Sequence, residues 1–597
     1  MTRADMGPVV LCHVMPSKQF SGLNAPAGGL LMQGASSWLK KESALSGSGD
    51  ALVQLGEFAR DDTTVFPHLI QVIRVFLNYL RLPASTDASS PEEFYTLLDR
   101  AACYYHGLNV ALQSPQALEN SKSAGLMTTC PKIYLWAVKF LHHYFVDANL
   151  PISTLAVSAT TVRIVELLGT LSADPDYCEK MRETKGFVFS MTTLWIYGIR
   201  AGQGLIEDVV RITMMHILQK RTLDKEVTDA LNRVPNDVVV EICTRVVASE
   251  RDPEADYDAG IMFLVISTMC SRSFTRAFIS CHSVPWICRR LASIAVKEEE
   301  DAVYAKLFQV SLVYLQRAFK EGAGRIIEGL DADVIPMLLK VQSKLEADDR
   351  EATLVPLLHL ITSYTLYRNV LTKLWKAVYM ADLGPAISEA GPIGDAWTIL
   401  KEITETRWEI LKDYMASGRE LTKCSYLACP HPDVGPKRTL RRCEGCHFEY
   451  YCSKECQKQD WRDGHKDVCR ALQNCLRDGL PMLMSKRERH FAYAIIEKDI
   501  QDNTRLIEEL KSEKRRDTDG PVVLLTVTDY TPVPRKLYIR TDEEFRRSEN
   551  LPVEKWDAAL ELAKEAGKDF VLSIIPQGTK AQALLDMYPF DFDTISV

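Results

Sequence analysis

Between Cys424 and Cys469 the chain carries seven of its 16 cysteines, where even spreading would leave about one. The densest part, CEGCHFEYYCSKECQKQDWRDGHKDVC, runs from Cys443 to Cys469 and adds His447 and His465. Spacing sorts the donors into four short pairs: Cys424 with Cys429, Cys443 with Cys446, Cys452 with Cys456, and His465 with Cys469. C-x2-C and H-x3-C are turns tight enough to aim both side chains at one tetrahedral centre. Eight ligands in four pairs imply two Zn2+ ions. Seven thiolates and one imidazole fill both tetrahedra and leave no position for water or substrate, which is the composition of a structural site. Such ions fold a segment too small to fold alone.

The order of residues closely resembles the MYND-type zinc finger: paired cysteines, then C-x2-C, aromatic-Cys-x3-Cys-Gln, a Trp, and a closing His-x3-Cys. The resemblance covers the run above together with CSYLAC (Cys424 to Cys429), about 46 residues in all. One departure is the first pair, C-x4-C where C-x2-C is commoner, which leaves His431 as an alternative to Cys429. His447 is read as a surface residue. The resemblance implies a cross-braced order, with Cys424, Cys429, Cys452 and Cys456 on one ion and Cys443, Cys446, His465 and Cys469 on the other. Spacing alone leaves a sequential order open. It further implies a protein-binding module that grips a short, in some cases proline-rich, peptide; the matching residues are Gln457 and Trp461. A Trp461 that simply covers the second zinc is compatible with that role.

Charge bears on the alternative of nucleic-acid binding. Residues 424–469 hold eight Lys/Arg and seven Asp/Glu, so with seven thiolates and two Zn2+ the segment carries −2. That is a poor phosphate binder, and the chain as a whole carries −8. Nucleic acid and anionic membrane are therefore not the expected partners. The longest apolar run, GIMFLVISTM from Gly260 to Met269, is too short to span a bilayer. The start MTRADMGPVVLCHVM shows no secretory pattern, so an intracellular site, cytoplasm or nucleus, is expected. PKRTLRR and KSEKRR are weak nuclear signals.

Elsewhere the expected fold class is mainly α. Residues 1–52, with GLNAPAGG and SALSGSGD, read as a flexible segment. Residues 53–420 read as an all-helical, armadillo- or HEAT-like region, an irregular bundle being the alternative. FPHLIQVIRVFLNYLRL is apolar almost all round, as in a helix buried between neighbours. EEEDAVYAKLFQVSLVYLQRAFKE places Val303, Leu307, Val310 and Tyr314 on one face. SVPWICRRLASI and DVIPMLLKVQSK form a faint internal echo, with Pro285 and Pro336 51 residues apart. A solenoid of that kind offers a concave face to partners. The finger occupies 424–469. Residues 486–597 read as a long charged helix, Lys486 to Arg516, followed by a small α/β unit. Its strands are VVLLTVTDY, RKLYIRT and FVLSIIPQ, and its helix is WDAALELAKEA from Trp556 to Ala566.

Catalytic signatures fail. A SET-type methyltransferase needs Asn-His-x-Cys, and the chain has no Asn-His pair. No P-loop occurs, and GAG at Gly322–Gly324 lacks a lysine. Cys12-His13 and Cys281-His282 are mere sequence neighbours, His142-His143 lies in an apolar helix, and Cys475 is a spare thiol. The chain is expected to be a non-enzymatic adaptor that binds a protein partner through its finger. A component of a ubiquitin-ligase complex is the alternative.

Overall fold

The computed structural model describes residues 49–61, 65–79, 91–113, 115–142, 155–201, 210, 213–214, 216–217, 225–248, 265, 267–296, 302–380, 391–417, 424–426, 428–430, 440–477, 484–517, 522–549, 561 and 569–588. These residues are mostly helical and fall into two compact units, Met1–Ile217 and Leu218–Val597. None of the described helices is long and apolar enough to cross a membrane. His431, Cys12-His13, His143 and most of the helix expected at 556–566 lie outside the described residues.

In the first unit a helix already begins at Gly49, and Leu52 and Leu55 within it are fully buried. That helix crosses Pro91–Ala111 so closely that backbone meets backbone. A Cβ placed on Gly56 falls 2.2 Å from the Gly107 carbonyl oxygen. The helix Phe66–Tyr79 buries Phe66, Leu69, Ile70, Val72 and Ile73 but leaves Pro67, Gln71 and Arg74 exposed. The residues outside the nearly all-round apolar pattern form one narrow exposed face. Three polar or turn-forming residues at helical spacing are enough to define a wet face. Arg74 uses that face to bind Thr129 Oγ1 at 2.7 Å and the Gly125 carbonyl at 2.9 Å.

Within the second unit the two echoing segments share a local geometry. Arg272–Ser280 is followed by His282 in the left-handed region (φ 56°) and then by Ser283–Ile294. Ala323–Asp331 is followed by Asp333 in the same conformation (φ 55°) and then by Val334–Val341. Both turns feed a helix with proline at its third residue, where its missing N–H costs no intrahelical bond. Leu307, Val310 and Tyr314 face the core from Ala302–Phe319 as their spacing predicts.

The C-terminal part begins with a break. The long helix expected from Lys486 to Arg516 is two, Lys486–Asp502 and Thr504–Arg516. At the joint Asn503 donates its side-chain amide to the Asp499 carbonyl, and Thr504 Oγ1 donates to that of Ile500. Local side-chain bonds of this kind compete with the helical ladder. After the two short strands β1 Arg441–Arg442 and β2 Tyr450–Tyr451, the described residues form a C-terminal sheet of four strands, not three: β3 Leu524–Asp529, β4 Lys536–Thr541, β5 Asp569–Gln577 and β6 Lys580–Tyr588, in the order β4-β3-β5-β6. β3 and β5 are parallel, and the other pairs are antiparallel. Gly578, at φ 62°, makes the tight turn into β6, a position that favours glycine.

This sheet is keyed to the helices. Tyr367 donates to the Pro576 carbonyl at 2.8 Å, and the Gly578 N–H donates to Tyr364 Oη at 2.7 Å. Arg407, buried in Pro392–Ala416, lies 5.5 Å from the Tyr530 ring centre, and Tyr530 donates to Asp499 at 2.7 Å. Glu488 follows the capping residue Ser485 at the position that usually reaches back to its own helix. Here it accepts from the N–H groups of Arg368 and Asn369 and so caps the neighbouring helix Arg368–Trp375, whose own N-cap residue Tyr367 supplies no side-chain bond. Gly56→Ala is expected to cost about 3 kcal/mol, because neither backbone at the crossing can yield. Thermal unfolding with metal analysis checks this: an early transition with zinc still at two per chain is the expected result.

Candidate metal centre

Local structure brings each ligand pair to its place. Cys424 and Cys429 sit on a turn closed by the Cys429 N–H to the Tyr426 carbonyl at 3.0 Å. That turn is clipped to strand β2 (Tyr450–Tyr451) by Ser425 N–H to the Tyr450 carbonyl at 2.8 Å and by Tyr450 N–H to Ser425 Oγ at 3.0 Å. Cys443 and Cys446 occupy the turn between β1 (Arg441–Arg442) and β2, closed by His447 N–H to the Cys443 carbonyl. His447 takes a left-handed conformation (φ 57°) to reverse the chain; its side chain is half-buried and belongs to neither ligand group. Ser453 caps the helix Lys454–Asp460 by accepting from the Cys456 N–H, fixing Cys456 one turn beyond Cys452. Gly464, at φ 140°, kinks the chain so that His465 sits just ahead of the helix Lys466–Arg477, which carries Cys469.

The eight donor atoms gather into two groups, each within 4.8 Å: Cys424, Cys429, Cys452 and Cys456, and Cys443, Cys446, His465 and Cys469. This is the cross-braced order; first and third pairs share one group, second and fourth the other. Cys429 fills the fourth corner of the first group despite its C-x4-C spacing.

The geometry fits zinc. A regular tetrahedron with Zn–S bonds of about 2.3 Å has edges of about 3.8 Å. In the first group Cys429 lies 3.5 Å from Cys452 and 3.6 Å from Cys456, and Cys452 lies 3.5 Å from Cys456, measured between sulfurs. In the second, His465 Nε2 lies 3.4 Å from Cys443 and 3.8 Å from Cys446, and Cys443 lies 4.0 Å from Cys469. Burial pushes the Cys443 thiol up, but the Cys446 and Gly445 N–H groups and the His465 ring outweigh it and bring it down to about 7. Cys452 and Cys469 go the other way, up to about 12, through burial and the adjoining thiols. Crowded thiols ionise together only around a cation, and soft sulfur selects Zn2+ among the common dications. When bound, two such ions supply structural cross-links.

Residues 427–469 match the family described as the MYND finger. The segment is a MYND finger. The curated relatives are matched over only about a tenth of this chain. An F-box protein of Arabidopsis thaliana is 35% identical over 72 residues, 12% of this chain and 19% of its own. A second F-box protein of the same plant is 39% identical over 67 residues, covering 10% of this chain and 20% of its own. Programmed cell death protein 2 of Bos taurus is 43% identical over 61 residues, 10% and 15% of the two chains. The chain thus spans a fifth or less of the length of these relatives.

Gln457 and Trp461 lie one turn apart, linked by the Trp461 N–H donating to the Gln457 carbonyl. Gln457 is half-buried, and Trp461 remains 38% exposed although its ring meets the His465 ring edge-on at 5.8 Å. Val468, 49% exposed, is a second large apolar side chain on the finger surface that the sequence reading passed over.

Gly445 is the finger's tightest point. A Cβ there would stand 2.8 Å from Cys469 Sγ and 2.7 Å from Gln473 Nε2. The amide can swing away, whereas the thiol is held by its group. Gly445→Ala is therefore expected to lower zinc content from two per chain toward one, read by elemental analysis after dialysis against a weak chelator. Cys456→Ser should open the finger to limited proteolysis while leaving the helical fragments intact.

Proposed function

We infer that this chain is a non-enzymatic adaptor whose MYND finger binds a short peptide of a partner protein. The observation that carries this reading is the closure of both ligand groups. All eight donors are used in two four-cornered sites, so the ions have no corner to offer a substrate. What remains for function is the non-ligand surface, where Trp461 presents a large, rigid aromatic face of the kind that anchors peptides. Gln457 adds an amide able to donate to and accept from an extended backbone. A proline-rich peptide suits such a surface, because it is pre-extended and stacks on aromatic rings.

Recovery of a partner on the full-length, zinc-loaded chain, lost with Trp461→Ala while zinc stays at two per chain, is the expected result. An undiminished partner set with the alanine variant would remove the finger's face from the mechanism. A second reading, a place in a ubiquitin-ligase assembly, draws support from the two F-box relatives, whose likeness is confined to about a tenth of this chain. Ubiquitin transfer by the purified chain, with ubiquitin-activating and -conjugating enzymes supplied, separates the two: transfer favours a ligase, and silence leaves the adaptor.

A further inference from the structure

Beside the second ligand group, but lined by none of its ligands, the second unit contains a cleft of about 1150 Å3. Three parts of the unit meet there. The helices Arg272–Ser280, Ala323–Asp331 and Arg368–Trp375 form one wall. The finger contributes Arg442, His447 and Tyr450, and the β5–β6 turn contributes Gln577 and Gly578. Pockets for small molecules commonly hold roughly 300–1,000 Å3. This one has room for a stretch of polypeptide.

Its lining is dominated by guanidinium groups: Arg276, Arg325, Arg368, Arg442 and Arg487. Three carboxylates stand among them, Glu321, Glu328 and Glu488. Two of these are already engaged, Glu328 by Arg325 at 2.6 Å and Glu488 by the helix it caps. Arg276 and Arg442 are exposed and neither makes a close ion pair among the described residues, although the Arg276 charge is felt by Glu321 across the cleft. The helix Ala323–Asp331 adds its positive end. It starts at Gly322 with no side-chain cap, and both Gly322 and Gly324 line the cleft with open space where a side chain would be.

We propose that this cleft binds an extended acidic peptide segment of a partner protein, through Arg276, Arg442 and the uncapped start of Ala323–Asp331. A peptide suits the lining better than a nucleic acid. Glu321 and Glu328 interrupt the positive surface, and a continuous phosphate backbone has to pass them. A peptide can set its acidic side chains against the arginines and neutral ones against the glutamates. The site goes beyond the finger's Gln457–Trp461 face, since neither residue lines it.

The test uses the full-length, zinc-loaded chain and fluorescence anisotropy with a labelled Glu-Gly repeat peptide of about ten residues. A Gln-Gly peptide and a single-stranded DNA of equal length are the controls. Saturable binding of the Glu-Gly peptide alone is expected, weakened roughly tenfold by Arg276→Glu and by Arg442→Glu through like-charge repulsion. Gly324→Asp places a carboxylate at the open helix start, so it should weaken the peptide while raising the melting temperature. It decides the matter should an arginine variant fold poorly. Trp461→Ala should leave the affinity unchanged, which keeps this result distinct from the finger's own. Tighter binding of DNA, equal binding of Gln-Gly, or affinity indifferent to Gly324→Asp each overturns the proposal.

Discussion

Seven thiols and one imidazole held in two groups under 4.8 Å across are the constraint on which the finger rests. Around them lies only a small apolar core. Phe448 and Tyr451 are buried among the cysteines, with Tyr426 and Leu472 packed against them. Its strands are two residues long, far too short to be stable alone. Each structural device in the segment serves the donors. Ser453 caps the helix that carries Cys456, the left-handed His447 turns the chain after Cys446, and Gly464 resets it before His465. Tyr451 ties the two halves together by donating to Asp460 at 2.6 Å while its ring meets His465 edge-on. Metal affinity and the fold of the segment are accordingly one quantity.

The finger does not hang from the chain as a separate bead. Lys486 pairs with Glu449 at 2.8 Å, and the Arg489 guanidinium lies 5.2 Å from the centre of the Phe448 ring, both from the helix that follows. The same helix start sends Glu488 to cap Arg368–Trp375, and Tyr364 and Tyr367 just before that helix hold the tip of the β5–β6 hairpin. Residues 486–489 thereby join the finger to the helices, and Tyr364 and Tyr367 join those helices to the sheet. Those three walls also make the arginine-lined cleft.

What the sequence made legible follows from the range of the forces involved. Ligand spacing was readable because a tetrahedral ion draws on pairs with only two to four residues between them, and the cross-brace then followed from resemblance. The amphipathic helix through Leu307, Val310 and Tyr314 and the strands β3, β4 and β5 were readable from local pattern. The break at Asn503 was hidden because the charged pattern runs through it, and only side-chain bonds to Asp499 and Ile500 reveal it. Strand β6 was missed although QGT before it is a turn signal, since KAQALLDMY alternates poorly. The cleft was beyond reach for a different reason. Arg276, Arg442 and Gln577 are brought together over some 300 residues, and each of them alone reads as a solvated side chain.

This coupling also bears on how the finger is to be studied. A fragment ending near residue 480 retains every ligand yet loses Lys486 and Arg489. Glu449, itself buried, then loses its cation, and the Phe448 ring is exposed on the side that Arg489 covers. An unpaired buried carboxylate and a bared aromatic ring, beside Cys446, both act against the second ligand group. Weak zinc or lost partner in such a fragment therefore reports the missing helix as much as the finger. The smallest piece that keeps the finger's environment extends through the helix Lys486–Asp502, and its behaviour there belongs to the same structural unit as the arginine-lined cleft.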